Sequence, residues 1–480
     1  MSDVLPPPAP SDELWSWSAA RLARAIAARE ISSREAVASC CERIAAVNPA
    51  LNALVDVYAD EALEAAELAD RMTVRGRAVG PLHGVPVSMK DNTDEAGRAN
   101  SGGVVAHAEM VAREDSSTAA ALRAAGAVFV GRSNVPAFSF RWITDNELHG
   151  RTLNPWDATR TPGGSSGGAS AAVASGMVPL AHGNDIGGSI RYPAYACGIV
   201  GLRPTVGRLA SSGPDELDMP MSAHLMAVEG PLARTVEDVR MLFEVMRGPA
   251  PVDRSSLAAE QARSQARGAG PLRILYVERF GSAPLDPQIA ASVGLAVDRL
   301  QALGHQVRRG PLPLDLDFYA QAWPQIGQVG LAQLFDRHPD LARQASGKYL
   351  DMAEQGRGLP AARLWQILEQ VKKLRRESTR LFDDVDVIVL PSAAALPWKA
   401  EDAYPARIDG QDVGPRGHAV YTGWVNAAGL PGLALPCDPS REGLPIGMQL
   451  VGRYGSDDLL LDLGAAHEAA HPWAQRWPSL

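Results

Sequence analysis

The chain has 480 residues, 46 of them basic and 55 acidic, for a formal charge of −9, and 46% are hydrophobic against 21% charged. That is ordinary globular composition, long enough for one large α/β sheet or about three average domains. With no Lys/Arg-rich block it excludes a phosphate backbone as direct ligand, and with no run of about 18 apolar residues and no basic leader it reads as cytoplasmic and away from membranes.

The four cysteines, Cys40, Cys41, Cys197 and Cys437, have no C-x-x-C spacing and read as reduced thiols. Only five of the 46 basic residues are lysines, and Lys90 is the only one before Lys348. Where the chain needs only positive charge, it uses arginine.

In chain order, residues 18–48 repeat apolar side chains at helical spacing, with a break at "ISSRE" where Ser32 or Ser33 can cap a second helix. Residues 85–89 form a short β-like run that ends in Lys90 and Asp91. A capped helix, a stop at Gly126 and a strand over 128–130 follow as an αβ unit. From Thr161 the pattern is glycine loop, Ala-rich helix (169–175), strand (178–182) and glycine turn. Residues 248–271, rich in Pro and Gly at both ends, read as a linker. Beyond them come strand, helix and strand, then strands at 386–391, 432–437 and 447–453 and a last helix at "DDLLLDLGAAHEAA". Strands alternating with helices over the whole length predict an α/β fold with a large mixed or parallel sheet.

Three stretches are candidates for chemistry. "TPGGSSGGAS" (161–170) fits a Gly/Ser linker, or a phosphate cradle, but it lacks G-x-x-x-x-G-K-[ST]. It also satisfies G-x-S-x-G, yet the polar, proline-broken residues before it are not the apolar strand a nucleophile elbow needs. In "GNDIGGSIRYP" (183–193), Gly187 and Gly188 permit successive N–H groups to converge on one point ahead of Ser189. That serves an oxyanion hole, or equally an ordinary glycine turn. Lys90 is a surface lysine or a base: a desolvated lysine can lose its proton near neutrality, which arginine cannot.

Histidine and metal schemes have less behind them. His182 sits at a predicted strand end, where a histidine is more often structural, and no H-E-x-x-H or clustered ligand set occurs, so neither metal nor cofactor is expected.

Taken together, "GPLHGVPVSMKDN", "TPGGSSGGASAAVASG", "GNDIGGSIRYPAYACGIVGLRPTVGRL", "GPLARTVEDV", "AAGLPGLALPC" and "GLPIGMQLVGR" resemble the amidase signature family of serine amidohydrolases along nearly the whole chain. The resemblance implies a single-domain amidase signature fold, an α/β fold with a large central mixed, twisted sheet covered by helices on both faces. Within it, 1–75 would be an N-terminal helical part, 76–247 the catalytic core, 248–271 the linker or loop, and 272–480 the remaining sheet and pocket elements. It also implies a Lys-Ser-Ser triad with one serine after a cis peptide bond: Lys90 as base, Ser165 as bridge and Ser189 as nucleophile. Backbone N–H groups of Ile186, Gly187, Gly188 and Ser189 would hold the oxyanion, while Ser166, Asp185 and Arg191 brace the loop.

The implied activity is hydrolysis of a small-molecule carboxylic amide to acid plus ammonia or an amine, in a homodimer. The alternative in the same family is the glutaminase subunit of a tRNA-dependent amidotransferase, whose motif runs closer to "GSDTGGSIRQPA" than to the Asn184, Ile186 and Tyr192 found here. Candidate pocket stretches are 138–142, 211–221, 318–350 with Tyr319 and Trp323, and 421–424.

Overall fold

Short aliphatic runs bounded by Gly and Pro build one sheet, eleven strands wide among the described residues. The structure, a computed structural model, describes residues 13–210, 225–249, 253, 256 and 270–480. In chain order the strands are β1 (Leu54–Val57), β2 (Pro86–Lys90), β3 (Val128–Ser133), β4 (Leu180–Asp185), β5 (Val200–Arg203) and β6 (Val228–Ala233). They continue with β7 (Arg273–Tyr276), β8 (Gln306–Arg309), β9 (Val387–Pro391), β10 (Gly432–Pro436) and β11 (Gly447–Gly452). Across the sheet the order is β1-β3-β2-β4-β6-β5-β10-β11-β9-β7-β8. The β3, β2 and β4 neighbours are parallel, as are β9, β7 and β8, and the remaining pairs are antiparallel, so the sheet is mixed.

Helices bury both faces, and the period of two along each strand decides which residue meets which core. Val87 and Met89 of β2 and Phe129 of β3 join one hydrophobic cluster, whereas Val128 and Val130 join the other with the helix Gly167–Ala174. Ser88 and Lys90 therefore point to the side of that helix. A slip of one residue in β2 would carry Lys90 into the opposite core.

The first two helices fall at Ala19–Ala28 and Ser33–Leu51, and Ser32 caps the second in a reciprocal capping box with Glu35. The Ala-rich helix begins at Gly167, and the strand after it runs on to Asp185, three residues beyond the predicted end. The expected N-terminal helical part also holds an edge strand, β1. β6 was hidden in the sequence because Gly230 and Pro231 lie inside it, residues that argue against a central strand. The sheet runs unbroken from the first half of the chain to the second through the β5–β10 pair, giving a single domain. Most of the expected linker, and the pocket stretch 211–221, lie outside the described residues.

Candidate active site

Because β2 and β4 run parallel, with Ser88 level with Ala181, their C-terminal ends emerge side by side. Lys90 closes β2, and Asn184 and Asp185 close β4. In α/β sheets, ligands gather at the carboxyl ends of strands, here beside two glycine loops.

Lys90 is fully buried. Its Nζ lies 2.9 Å from Ser165 Oγ, 2.6 Å from Asn184 Oδ1 and 3.5 Å from the Asn184 carbonyl. Burial lowers its ammonium from the ordinary 10.5 to about 7, against the opposing pull of Glu229 and Asp185. A large fraction of this lysine is therefore neutral at physiological pH. With its two protons directed at the Asn184 oxygens, a neutral amine presents its lone pair to Ser165.

Ser165 follows a cis peptide bond from Gly164. The last described strand before this loop is the two-residue Gly150–Arg151, none runs directly into it, and the helix starts at Gly167, which is not the geometry of a nucleophile elbow. Ser166 ties the loop to its neighbour: its N–H donates to the Ser189 carbonyl at 3.1 Å and its hydroxyl to the Asn184 carbonyl at 3.3 Å. These bonds hold Ser165 and Ser189 on adjacent turns. Their hydroxyls are not hydrogen-bonded to each other in this structure.

Asp185 braces the second turn. Its carboxylate accepts from the N–H groups of Gly188 (2.7 Å) and Ile190 (3.1 Å), from Arg191 Nε (3.0 Å) and from Asn426 Nδ2 (2.8 Å). Burial opposes its charge, but Arg191 and Arg203 hold the carboxyl well below the usual range. Arg191 reaches on to Gln449 Oε1 and Asn426 Oδ1, which belong to the second half of the chain.

The glycine turn after Asp185 bears on one expectation. The Gly188 N–H is engaged by Asp185, so of the four donors expected at the oxyanion position the N–H groups of Ile186, Gly187 and Ser189 remain. Gly188 is instead required by shape. Its φ is +119°, and a Cβ there would lie 2.5 Å from Thr422 Oγ1, which itself donates to the Gly187 carbonyl at 2.7 Å.

Ser189, Ile186, Gly187, Asn92 and Asn184 open on a cavity of about 250 Å³. Trp323 lies 3.5 Å, and Trp142 3.9 Å, from where a Cβ on Gly187 would be, and both line the cavity. Phe138, Phe140, Leu331 and Leu334 extend the apolar wall. Of the predicted pocket stretches, 138–142 lines the cavity, and 318–350 does so through Trp323, Ile326, Gly330, Leu331 and Leu334. Tyr319 faces a separate pocket, and Tyr421 and Trp424 are buried in the core. His182 is buried too, with Nε2 2.6 Å from Glu229 Oε2.

Sequence reasoning missed Asn184 as the partner of the lysine and Asn92 as the partner of Asn184. Asn184 Nδ2 donates to Asn92 Oδ1 at 2.9 Å, and Asn92 Nδ2 to Asn184 Oδ1 at 3.3 Å. Their signal was present: each amide lies next to an aspartate at the end of a strand, Asn92 after Asp91 and Asn184 before Asp185.

A buried amine near its neutral form, two serines and a glycine turn lie around one aromatic cavity, an arrangement suited to hydrolysis. The chain belongs to the Amidase family, whose model matches residues 35–461, and it is an amide-hydrolysing enzyme. It is 38% identical to an indoleacetamide hydrolase of Bradyrhizobium diazoefficiens, over 96% of this chain and 87% of that protein. It is 33% identical to a glutamyl-tRNA(Gln) amidotransferase subunit of Picosynechococcus sp., over 94% of this chain and 98% of that one. Among solved structures, a 6-aminohexanoate cyclic dimer hydrolase superposes with a TM-score of 0.86 at 31% identity, covering 97% of this chain and 99% of the other. A bacterial aryl acylamidase of the amidase signature family does so with 0.86 at 28%, covering 97% and 98%. Among the described residues no helix is long and apolar enough to cross a membrane.

Proposed function

We propose that this amidase cleaves a carboxylic amide with a flat, apolar acyl group, by way of an acyl-enzyme on Ser189. The observation that carries the mechanism is Lys90 Nζ, buried and 2.9 Å from Ser165 Oγ, with its ammonium lowered to about 7. Ser165 gives its proton to Nζ as it takes one from Ser189, and Ser189 Oγ bonds to the carbonyl carbon. The N–H groups of Ile186, Gly187 and Ser189 receive the oxyanion. When the tetrahedral species collapses, the C–N bond breaks and the relay returns the proton to the leaving nitrogen. A water molecule, deprotonated by the same route, then releases the acid and restores Ser189. Ser166, Asp185 and Arg191 keep the two turns in place.

The slot that Trp142 and Trp323 line beside Gly187 favours an aromatic acyl group, in line with the indoleacetamide relative. Free glutamine fits less well, because the described lining has no Asp or Glu to receive its ammonium group. The reading is therefore a stand-alone cytoplasmic enzyme, a homodimer with no nucleic-acid partner, rather than one component of an amidotransferase.

Two measurements test it. A fluorophosphonate should label the tryptic peptide that contains Ser189, and the purified chain alone should release ammonia from aryl acetamides. Labelling at Ser165 or Ser166, or turnover only after other polypeptides are added, would overturn it.

A further inference from the structure

The walls of the cavity are aromatic and aliphatic except for the asparagines and serines near the reacting end and two arginines, Arg141 and Arg416. No described lining residue is acidic. Among the described residues neither half-buried guanidinium has a carboxylate within 4 Å, unlike the buried Arg132, Arg191 and Arg203, and neither has the set of backbone carbonyls that Arg234 and Arg375, also without a carboxylate, use instead. Among the described residues Arg141 donates only to the Phe140 carbonyl, at 3.1 Å, and to Met352 Sδ, at 3.7 Å. Arg416 donates to no protein acceptor there, and its guanidinium packs over the Trp142 ring, 5.1 Å from the centroid. Burial lowers the Arg416 guanidinium to about 10, and the Arg141 charge adds to that against the pull of Tyr319. Two cations close enough to repel each other, on one apolar cavity, in a chain of net charge −9, are not a product of composition.

From this we infer that the substrate carries a carboxylate on its apolar body, away from the scissile amide, and that Arg141 and Arg416 receive it. The inference rests on the reading that Ser189 attacks an amide in this cavity. A guanidinium offers a planar fork of N–H donors that a carboxylate matches, and a site shielded by Trp142, Phe138 and Phe140 strengthens the pair relative to open water. Trp142 serves both ends of the ligand: its indole lines the slot beside Gly187 and supports the Arg416 guanidinium. With no acidic side chain in the described lining, the site suits a monoanion better than a zwitterion, which separates this substrate class from free α-amino acid amides.

The test compares para-(carbamoylmethyl)benzoate with its methyl ester, a neutral ligand of nearly the same shape. Ammonia release gives kcat/KM for each. Independently of turnover, each ligand is also scored for how well it protects Ser189 from a fluorophosphonate. We expect the carboxylate to exceed the ester by about tenfold or more in both readouts, an advantage that shrinks as salt is raised. In Arg416→Gln and in Arg141→Gln the carboxylate-to-ester ratio should fall towards one, and Arg416→Lys should recover part of it. An ester that matches or beats the carboxylate in the wild-type enzyme overturns the inference without any variant having to fold. So does a ratio that both glutamine variants leave unchanged. If the folded enzyme is not labelled at Ser189 at all, it is the acyl-enzyme reading that fails.

Discussion

Lys90 Nζ is closer to Asn184 Oδ1, at 2.6 Å, than to Ser165 Oγ, at 2.9 Å. A neutral amide next to the amine orients it without adding charge that would keep it protonated. An Asn184→Asp substitution replaces that amide with a carboxylate, which stabilises the ammonium and raises a neighbouring pKa by about 1–3 units. In the wild-type enzyme kcat/KM should climb with pH through about 7 along one ionisation and level off above it. In Asn184→Asp the same limb should move to higher pH by more than one unit, with activity near pH 7 reduced about fivefold or more. A purely structural asparagine would lower the plateau without moving the limb.

The same lysine links activity to stability. Its ammonium is lowered from 10.5 to about 7 on folding, so between those values the unfolded chain binds more protons than the folded one, and stability rises with pH. The cost of burying Lys90 is full below about pH 7 and fades towards 10.5. Lys90→Met, of similar length and without charge, should abolish turnover yet raise Tm. The gain over wild type should be largest near pH 6 and small near pH 10, as measured by calorimetry across that range. Lys90→Arg supplies charge but no free base, and should cost nearly as much activity as Lys90→Ala.

Removing Ser189 and removing its support should look different. Ser189→Ala should lose turnover and fluorophosphonate labelling with Tm nearly unchanged, since the hydroxyl faces the cavity. Asp185→Asn leaves Arg191 and Arg203 buried without their carboxylate, a change that costs about 3–5 kcal/mol for comparable buried pairs. It should therefore lose both activity and several degrees of Tm. Unchanged Tm in Asp185→Asn would mean that the loop stands without its anchor.

Residue choice singled out Lys90 and Ser189 as candidates, one lysine in an arginine-rich half and glycines where backbone must turn tightly, whereas Ser165 and the three roles were implied only by the family resemblance. The sequence also made legible the strands that are continuous and apolar, such as Val387–Pro391. What it hid depends on contacts across the fold. Asn426 and Gln449 reach Arg191 from more than 230 residues away, and no local pattern announces that. Gly188 looked like an oxyanion donor because its spacing fits one; only the position of Asp185 shows that its N–H is already taken. The strand holding Pro231 was hidden for a similar reason, since tertiary pairing overrode its propensity.

Gly188 gives a prediction that separates shape from hydrogen bonding. Gly188→Ala keeps the N–H but forces a side chain into a φ of +119° and against Thr422 Oγ1 at 2.5 Å. Backbone strain of that kind costs about 1–3 kcal/mol, and the turn carrying Ile186, Gly187 and Ser189 must shift to relieve it. We expect a large loss of kcat and a lower Tm. Thr422→Ala in the same chain should return little of the Tm, because its own Cβ would still lie 2.8 Å from the methyl group and the hydrogen bond to the Gly187 carbonyl is lost.

Trp323 tests the aromatic slot most directly, because its ring lies beside Gly187 while belonging to the helix Asp317–Arg337, remote in sequence from both serines. If an aryl acyl group packs against this indole as the carbonyl meets Ser189, removing the ring deprives the substrate of contact area and leaves the serines and lysine untouched. Losing contact with a large aromatic surface is worth about 1.5–3 kcal/mol, or roughly 10–100-fold in binding. Trp323→Ala should therefore lower kcat/KM for an aryl acetamide by that factor, mostly through KM, while a small aliphatic amide such as propionamide, too short to reach the ring, loses much less. The rate of fluorophosphonate labelling at Ser189 by a small reagent should change little, which separates a damaged pocket from a damaged nucleophile. Equal losses for both amides would place Trp323 in support of the turn rather than in contact with the acyl group.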